Sequence, residues 1–290
     1  MDRLAAGEGR EREALRARVS ATLERLSRTG ALPALPQAAA AALGVARDPE
    51  ASAETLCRII RTDVGLSARV LRAANSVAYA RRTPATTLEE AVVTVGLRKS
   101  CDILVAASVR RLYGTASRHA ETLWNHALAV GIAAEELATV TRRVEPSTSF
   151  LPALFHDVGR IAFLLTDREA FEVIRGLAET AGGDRRGLEQ EWFGFDHAAA
   201  GSVLTETWGL APEQCDAIRW HHEPSRAGLG RDLALLLHAA DALAYAIGFG
   251  TGAEPPARFE AAELGLSPED EAACRERVRE AFTRHQAMLA

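Results

Sequence analysis

The chain has 290 residues, a formal net charge of −5 and 48% hydrophobic residues. That length holds one large domain or two small ones with a sizeable core. The acidic balance argues against a general nucleic-acid binder, which carries a basic excess.

Only 6% of the residues are aromatic. Periods near 3.6 recur and period-2 alternation is scarce, so the expected class is all-α. No uncharged apolar run reaches the roughly 18–20 residues of a membrane span, and the charged, amphipathic N-terminus is unlike a signal peptide. Cys57, Cys101, Cys215 and Cys274 form no CxxC pair. They read as reduced thiols of a cytoplasmic protein rather than a zinc ribbon.

Residues 1–28 read as one amphipathic helix, with Leu15, Val19, Leu23 and Leu26 on one stripe. It packs on its own domain or serves as a dimer or partner-docking helix. Leu32-Pro33-Ala34-Leu35-Pro36 is an extended entry. Short helices follow over Gln37–Arg47, from Ser52 or Ala53, and over Asp63–Ala74, with Asp63 as N-cap and Asn75 as C-cap. After a basic loop at Arg81-Arg82, Thr87 and Glu90 form a capping-box pattern for a helix to Gly96. The next helix runs from about Leu97 to Tyr113.

His119 to Thr141 is predicted as a long helix, and Pro146–Ser149 as a loop and cap. An apolar run from Phe150 to Leu165 reads as one helix with His156-Asp157 inside it. Asp167 caps a helix to Thr180, a turn falls at Ala181–Asp184, and a helix from Arg186 to Trp192 ends at Gly194. Asp196 caps a helix beginning at His197 and running to Trp208. Pro212 opens another to Trp220, closed by His221-His222-Glu223-Pro224. Asp232–Ile247 is a long apolar helix holding His238 and Asp241. A loop over Gly248–Pro256 leads to a final helix from Ser267-Pro268-Glu269, in which His285 is expected to be solvated. His119 is expected at the surface.

The His156-Asp157 pair sets two polar, metal-type ligands in apolar surroundings. A buried unpaired carboxylate costs several kcal/mol or gives up its charge. A cation, a buried ion pair or an opening to a cleft would each satisfy it. His126, His197, His221, His222 and Asp241 also lie downstream of residue 120, most of them in predicted helices, with apolar or small-residue neighbours. Each His alone could be a packed core residue. Together with His156 and Asp157 they favour a site. Imidazole with carboxylate suits Fe, Mn, Zn or Ni better than Ca. Five His and two Asp exceed one tetrahedral site and suit two ions bridged by a carboxylate, the arrangement used to hydrolyse phosphate esters. His238 shares a helix face with Asp241 and reads as a core residue or as support for a ligand.

The order H…HD…H…HH…D resembles the HD superfamily of metal-dependent phosphohydrolases. From about residue 29 to 245 the chain is similar to one branch, the HDOD (HD-related output domain) family. The similarity is carried by Leu32–Pro36, Asp63–Leu66, Val70–Ser76, Ala91 through Leu97, Leu123–His126, Leu154–Arg160, Asp196–Gly201 and Ala217–Pro224. It implies a multi-helix HD-like fold in which an N-terminal helical part, 29–116, packs on an HD-type core, 117–248, followed by a loop and helix, 249–290. It also implies that His126, His156, Asp157 and Asp241 correspond to the common HD metal set. His197, His221 and His222 correspond to the extra ligands of two-metal HD-GYP enzymes, which hydrolyse cyclic-di-GMP.

Two departures bear on activity. Arg160 stands where the HD-GYP pattern has Lys, and the GYP element after the paired His is absent: the chain reads His222-Glu223-Pro224-Ser225. Lys and Arg are not interchangeable at a tight phosphate site, and Lys99 is the only Lys in the sequence.

The resemblance implies a cytoplasmic bacterial signalling module, non-catalytic, with one or two divalent transition-metal ions retained. Its partner would be a signalling protein or a nucleotide second messenger, and the amphipathic N-terminus leaves a homodimer open. The rival is a metal-dependent phosphohydrolase in which Asp157 bridges metals and Arg160 holds a phosphate oxygen. A purely structural helical scaffold is the third reading.

Overall fold

In the computed structural model, residues 34–76, 79, 83–113, 118–181, 184–252 and 261–289 are described, together with Ala17 and Ala21. The expected helix over 1–28, the Arg81-Arg82 loop, Gly182-Gly183 and residues 253–256 fall largely or wholly outside them. Among the described residues the chain is all-α, with no strand. No helix there is long and apolar enough to cross a membrane. Contacts divide it into two compact units, 35–151 with 261–289, and 152–252.

In the first unit, helices α1 (Gln37–Arg47), α2 (Ala53–Ile60), α3 (Val64–Ala74), α4 (Leu88–Val95), α5 (Leu97–Tyr113) and α6 (Arg118–Thr141) are set by local signals. Ser52 accepts the Thr55 N–H at the start of α2. The Asp63 carboxylate accepts the Gly65 and Leu66 N–H groups at 2.8 and 3.2 Å. Such caps satisfy N–H groups that the first helical turn leaves unpaired. The Thr87–Glu90 capping box is complete, and Gly96 at φ 89° ends α4. Asn75 ends α3 and also reaches across the chain: its Nδ2 donates to the Ala85 carbonyl at 2.9 Å, and its Oδ1 accepts the Ala85 N–H at 2.7 Å.

The C-terminal helix of this unit, α14 (Pro268–Leu289), packs along α6. His285 is half-buried, contrary to the expectation from its charged helix that it would be solvated. Its ring stacks on Phe150 with centroids 6.4 Å apart, and its Nδ1 donates to the Ala281 carbonyl at 2.8 Å. Burial, with Lys99 nearby, pushes its pKa down to about 4.

The boundary between the units falls inside α7 (Pro146–Phe155). The second unit continues with α8 (Val158–Thr166), α9 (Arg168–Ala181), α10 (Arg185–Phe193), α11 (His197–Thr207), α12 (Pro212–Trp220) and α13 (Arg231–Ala246). Helix α11 packs against both α8 and α12, and α12 against α13.

The run expected as one helix over Phe150–Leu165 is two. It breaks at His156-Asp157, where Asp157 adopts φ −103°, ψ 10°. The cause is local. The Ala153 carbonyl would take the Asp157 N–H in a continuous helix. Instead it accepts the His156 N–H at 3.3 Å and His156 Nδ1 at 2.7 Å. The imidazole competes with the backbone for one acceptor, and the helix stops. Pro146–Ser149, expected as a loop and cap, form the first turn of α7.

Two glycines permit the close packing that follows. A Cβ on Gly159 would lie 2.1 Å from the His197 carbonyl oxygen, so only Gly lets α8 approach the start of α11 this closely. A Cβ on Gly230 would lie 2.1 Å from the Glu213 carbonyl. The turn before α13 is held by Asp216, whose carboxylate accepts the N–H groups of Gly228, Leu229 and Gly230. That clamp fixes α13, and with it Asp241, against α12.

Candidate metal centre

Each candidate side chain of the second unit sits where an element begins, ends or breaks, except Asp241. His156 and Asp157 occupy the α7–α8 break. His197 is the first residue of α11, with Asp196 accepting the Ala199 N–H at 2.8 Å as N-cap. His221 and His222 follow the last turn of α12. Asp241 is buried in the middle of α13. His156, Asp157, His197, His221 and Asp241 are buried, and His222 is half-buried.

These groups converge on the Asp157 carboxylate. Its Oδ1 lies 3.1 Å from His197 Nε2 and 3.9 Å from His221 Nε2. Its Oδ2 lies 3.6 Å from His156 Nε2. His197 Nε2 is 2.9 Å from His222 Nε2. Ligand atoms of Asp157, His197, His221 and His222 all fall within 4.8 Å of one another. His156 Nε2 is 4.0 Å from Asp241 Oδ1. His126 is buried on α6, in the other unit, and its place in the set stays with the resemblance.

The outer nitrogens of the imidazoles show what the inner ones are for. His156 Nδ1 is 2.7 Å from the Ala153 carbonyl, and His221 Nδ1 is 2.7 Å from the Ile218 carbonyl. A carbonyl only accepts, so both Nδ1 atoms carry the proton, and a neutral ring then presents its Nε2 lone pair to the centre. His221 Nε2 is buried with no hydrogen-bond partner among the described residues. Nδ1 donors tied outward and Nε2 lone pairs turned inward are how metal-binding imidazoles are oriented. With a carboxylate at the focus, the donor set fits a divalent transition metal such as Fe, Mn, Zn or Ni.

Charge follows the same pattern. Burial pushes Asp157 up, but the Arg160 guanidinium, with His156 and His197, holds its carboxyl well below the usual range. His197 is raised to about 9: burial lowers it, and Glu189 and Asp157 more than reverse that. His221 and His222 are held well below the usual imidazole value by burial and by the neighbouring imidazoles. Both are thereby held as neutral rings, the form in which an imidazole coordinates a metal.

One contributor went unsingled in the sequence. Glu189, buried on α10, accepts His197 Nδ1–H at 2.6 Å and the His197 backbone N–H at 2.9 Å. No pattern marks a Glu eight residues before its partner. His238, expected as a core or supporting residue, lies with Nδ1 2.9 Å from the His221 carbonyl, so it steadies the chain that carries two ligands. His119, expected at the surface, is half-buried at the start of α6.

Arg160 is buried to 3% exposure. Its Nη1 lies 3.0 Å from Asp157 Oδ2 and donates to Thr251 Oγ1 at 3.0 Å. Lys99, the only Lys, is held by Glu135 within the first unit, with Nζ 2.7 Å from Oε1.

Comparison with known proteins agrees with this architecture. The profile of the HDOD domain matches residues 32–224. An HDOD domain protein of unknown function from Geobacter sulfurreducens superposes with a TM-score of 0.76 at 23% identity, covering 94% of this chain and 97% of its own. A protein of Marinobacter aquaeolei VT8 named for signal transduction superposes with a TM-score of 0.75 at 22% identity, over 96% of this chain and 65% of its own. An uncharacterized protein of Treponema pallidum (strain Nichols) is 24% identical over 192 residues. That alignment spans 66% of this chain and 37% of the relative's length.

Proposed function

The chain belongs to the HDOD domain family, and from that premise we propose that it is a non-catalytic signalling module with a retained metal centre. The carrying observation is the buried Arg160–Asp157 ion pair. A hydrolytic two-metal centre uses its bridging carboxylate to hold both ions and to place a water of lowered pKa. Here one oxygen of that carboxylate faces a permanent cation. A guanidinium does not shed its proton to make way. No Lys is present in the second unit to grip a phosphate, because Lys99 is the only one in the chain.

The metal's chemistry would be structural or ligand-binding. When bound, it would neutralise Asp157 and tie the α7–α8 break to the starts and ends of α11 and α12. The module reading is supported by the relatives, since similar segments occur within the longer Treponema and Marinobacter chains. A signalling protein or a nucleotide second messenger is the expected partner.

The test is turnover. Metal-loaded protein is incubated with cyclic dinucleotides and with mononucleotide esters, beside the Asp157→Ala variant. Equal background in both is the expected result. Saturable hydrolysis that Asp157→Ala abolishes would establish the metal-dependent phosphohydrolase instead.

A further inference from the structure

Trp220, the last residue of α12, carries two guanidiniums over its ring. Arg219 Cζ lies 4.4 Å and Arg226 Cζ 4.1 Å from the ring centroid. The indole is 7% exposed, and its Nε1–H is buried with no acceptor among the described residues. We propose that Arg219 and Arg226, stacked on Trp220 and backed by Arg186, form a receptor for a phosphate group. The receptor is separate from the metal centre and needs no ion at Asp157, so it goes beyond the reading of that centre.

Three observations support it. The first is charge. Arg186 Nη2 lies 3.1 Å from Asp196 Oδ2 and 2.8 Å from Glu223 Oε1. Arg219 Nη1 lies 3.2 Å from Asp196 Oδ1, and Arg226 Nη1 lies 3.1 Å from Glu223 Oε2. Three guanidiniums thus share two carboxylates, and one positive charge is left over. Two neighbours do not cancel it. His197, next to Asp196, is itself positive while no ion is bound, and Glu189 balances it. Asp216, three residues before Arg219, turns its carboxylate to the N–H groups of Gly228, Leu229 and Gly230. An uncompensated, partly desolvated cation favours an anion beside it.

The second is the supply of donors. A guanidinium stacked on an aromatic ring uses its face and keeps its N–H edge for acceptors. Arg219 and Arg226 each commit only Nη1, to Asp196 and Glu223. Nε and Nη2 of both have no acceptor among the described residues, and neither does Trp220 Nε1. A phosphate group brings more oxygens to such a set than a carboxylate does, and Arg forks bind phosphate oxygens in pairs.

The third is access. The Arg186 and Arg219 side chains are half-buried and held in place by Asp196, whereas Arg226 is 58% exposed. The inner pair is preorganised. Arg226 is at the surface, where turning toward an incoming phosphate would uncover the edge of the indole.

The experiment is isothermal titration of the full chain, stripped of metal with EDTA and dialysed free of it, at low ionic strength. The probes are inorganic phosphate, AMP and GMP. Saturable binding of at least one is expected, with the same affinity in Asp157→Ala. Arg226→Gln and Arg219→Gln are each expected to weaken it by about tenfold or more, the loss of a charge-assisted hydrogen bond. Binding should change the tryptophan fluorescence, and Trp220→Phe should remove that change. Inorganic phosphate bound as tightly as AMP and GMP identifies free phosphate as the ligand. Tighter binding of either nucleotide identifies a nucleoside monophosphate. Should half-buried Arg219→Gln fail to fold, the exposed Arg226→Gln decides. No saturable binding of any probe, or unchanged affinity in Arg226→Gln, would overturn the receptor. Binding lost in a folded Asp157→Ala would place the anion at the metal centre, which also overturns it and leaves the signalling-module reading standing.

Discussion

Glu189 grips His197 twice, accepting its backbone N–H at 2.9 Å and its Nδ1–H at 2.6 Å. The first contact seats the residue at the start of α11. The second fixes the ring so that Nε2 faces Asp157. Glu189 is itself fully buried beside Arg185, and its carboxyl stays ionised: burial raises it, but His197 and the neighbouring guanidiniums more than offset that. Glu189→Gln keeps the shape and loses the charge. Outer partners of this kind are worth about 10–100-fold in metal affinity. A drop of that order is expected in Mn(II) titration of Glu189→Gln, with the helical circular dichroism unchanged. Unaltered affinity would remove Glu189 from the centre.

Metal binding is expected to release a proton. His197, with its pKa raised to about 9, is charged at neutral pH while no ion is bound. Coordination through Nε2 requires that nitrogen to be deprotonated. The sign follows: below about pH 9 the free protein holds a proton that the loaded protein lacks, so affinity rises with pH and levels off above that value. One displaced proton corresponds to about tenfold in affinity per pH unit. Isothermal titration in buffers of different ionisation enthalpy checks it. Affinity independent of pH between 7 and 8.5, roughly the window below the raised pKa, would mean that His197 is not a ligand.

Gly159 is expected to be intolerant of any side chain. A Cβ there meets the His197 carbonyl at 2.1 Å, backbone against backbone, so no rotamer change relieves it. Overpacking of this kind costs about 1–3 kcal/mol or more. Gly159→Ala should therefore lower the thermal midpoint and displace His197 from Asp157, with loss of bound metal. Gly44, inside α1 with no atom near its built Cβ, is the control. Gly44→Ala should stabilise by roughly 0.5–1 kcal/mol, since Gly is the poorer helix residue. Equal effects of the two substitutions would contradict the close approach of α8 and α11.

What was legible in the sequence follows from range. The caps at Asp63, Thr87 and Asp196 act within three residues, so residue type and spacing suffice to place them. The His156-Asp157 pair stood out because two polar groups interrupt an apolar run. The helix break at that pair was not legible, because it depends on an imidazole competing for the Ala153 carbonyl, a matter of side-chain geometry. His285 misled for a similar reason. Its helix is charged, but the ring lies on Phe150, which is distant in sequence. Arg160 was visible as a departure from a family pattern. Its partners Asp157 and Thr251 became visible only in three dimensions, Thr251 lying 91 residues away. Glu189 carried no signal at all, since a Glu on an amphipathic helix is ordinarily a solvated residue.

The most direct measurement is the transition-metal content of protein purified without chelators under anaerobic conditions, beside Asp157→Ala prepared in parallel. The expected result is one or two ions of Fe, Mn, Zn or Ni per chain in wild type and background in the variant, with both folded by circular dichroism. Background in both would contradict a retained metal centre. The convergence of His197, His221 and His222 on Asp157 would then be a buried hydrogen-bonding and ion-pair network that holds the helices together.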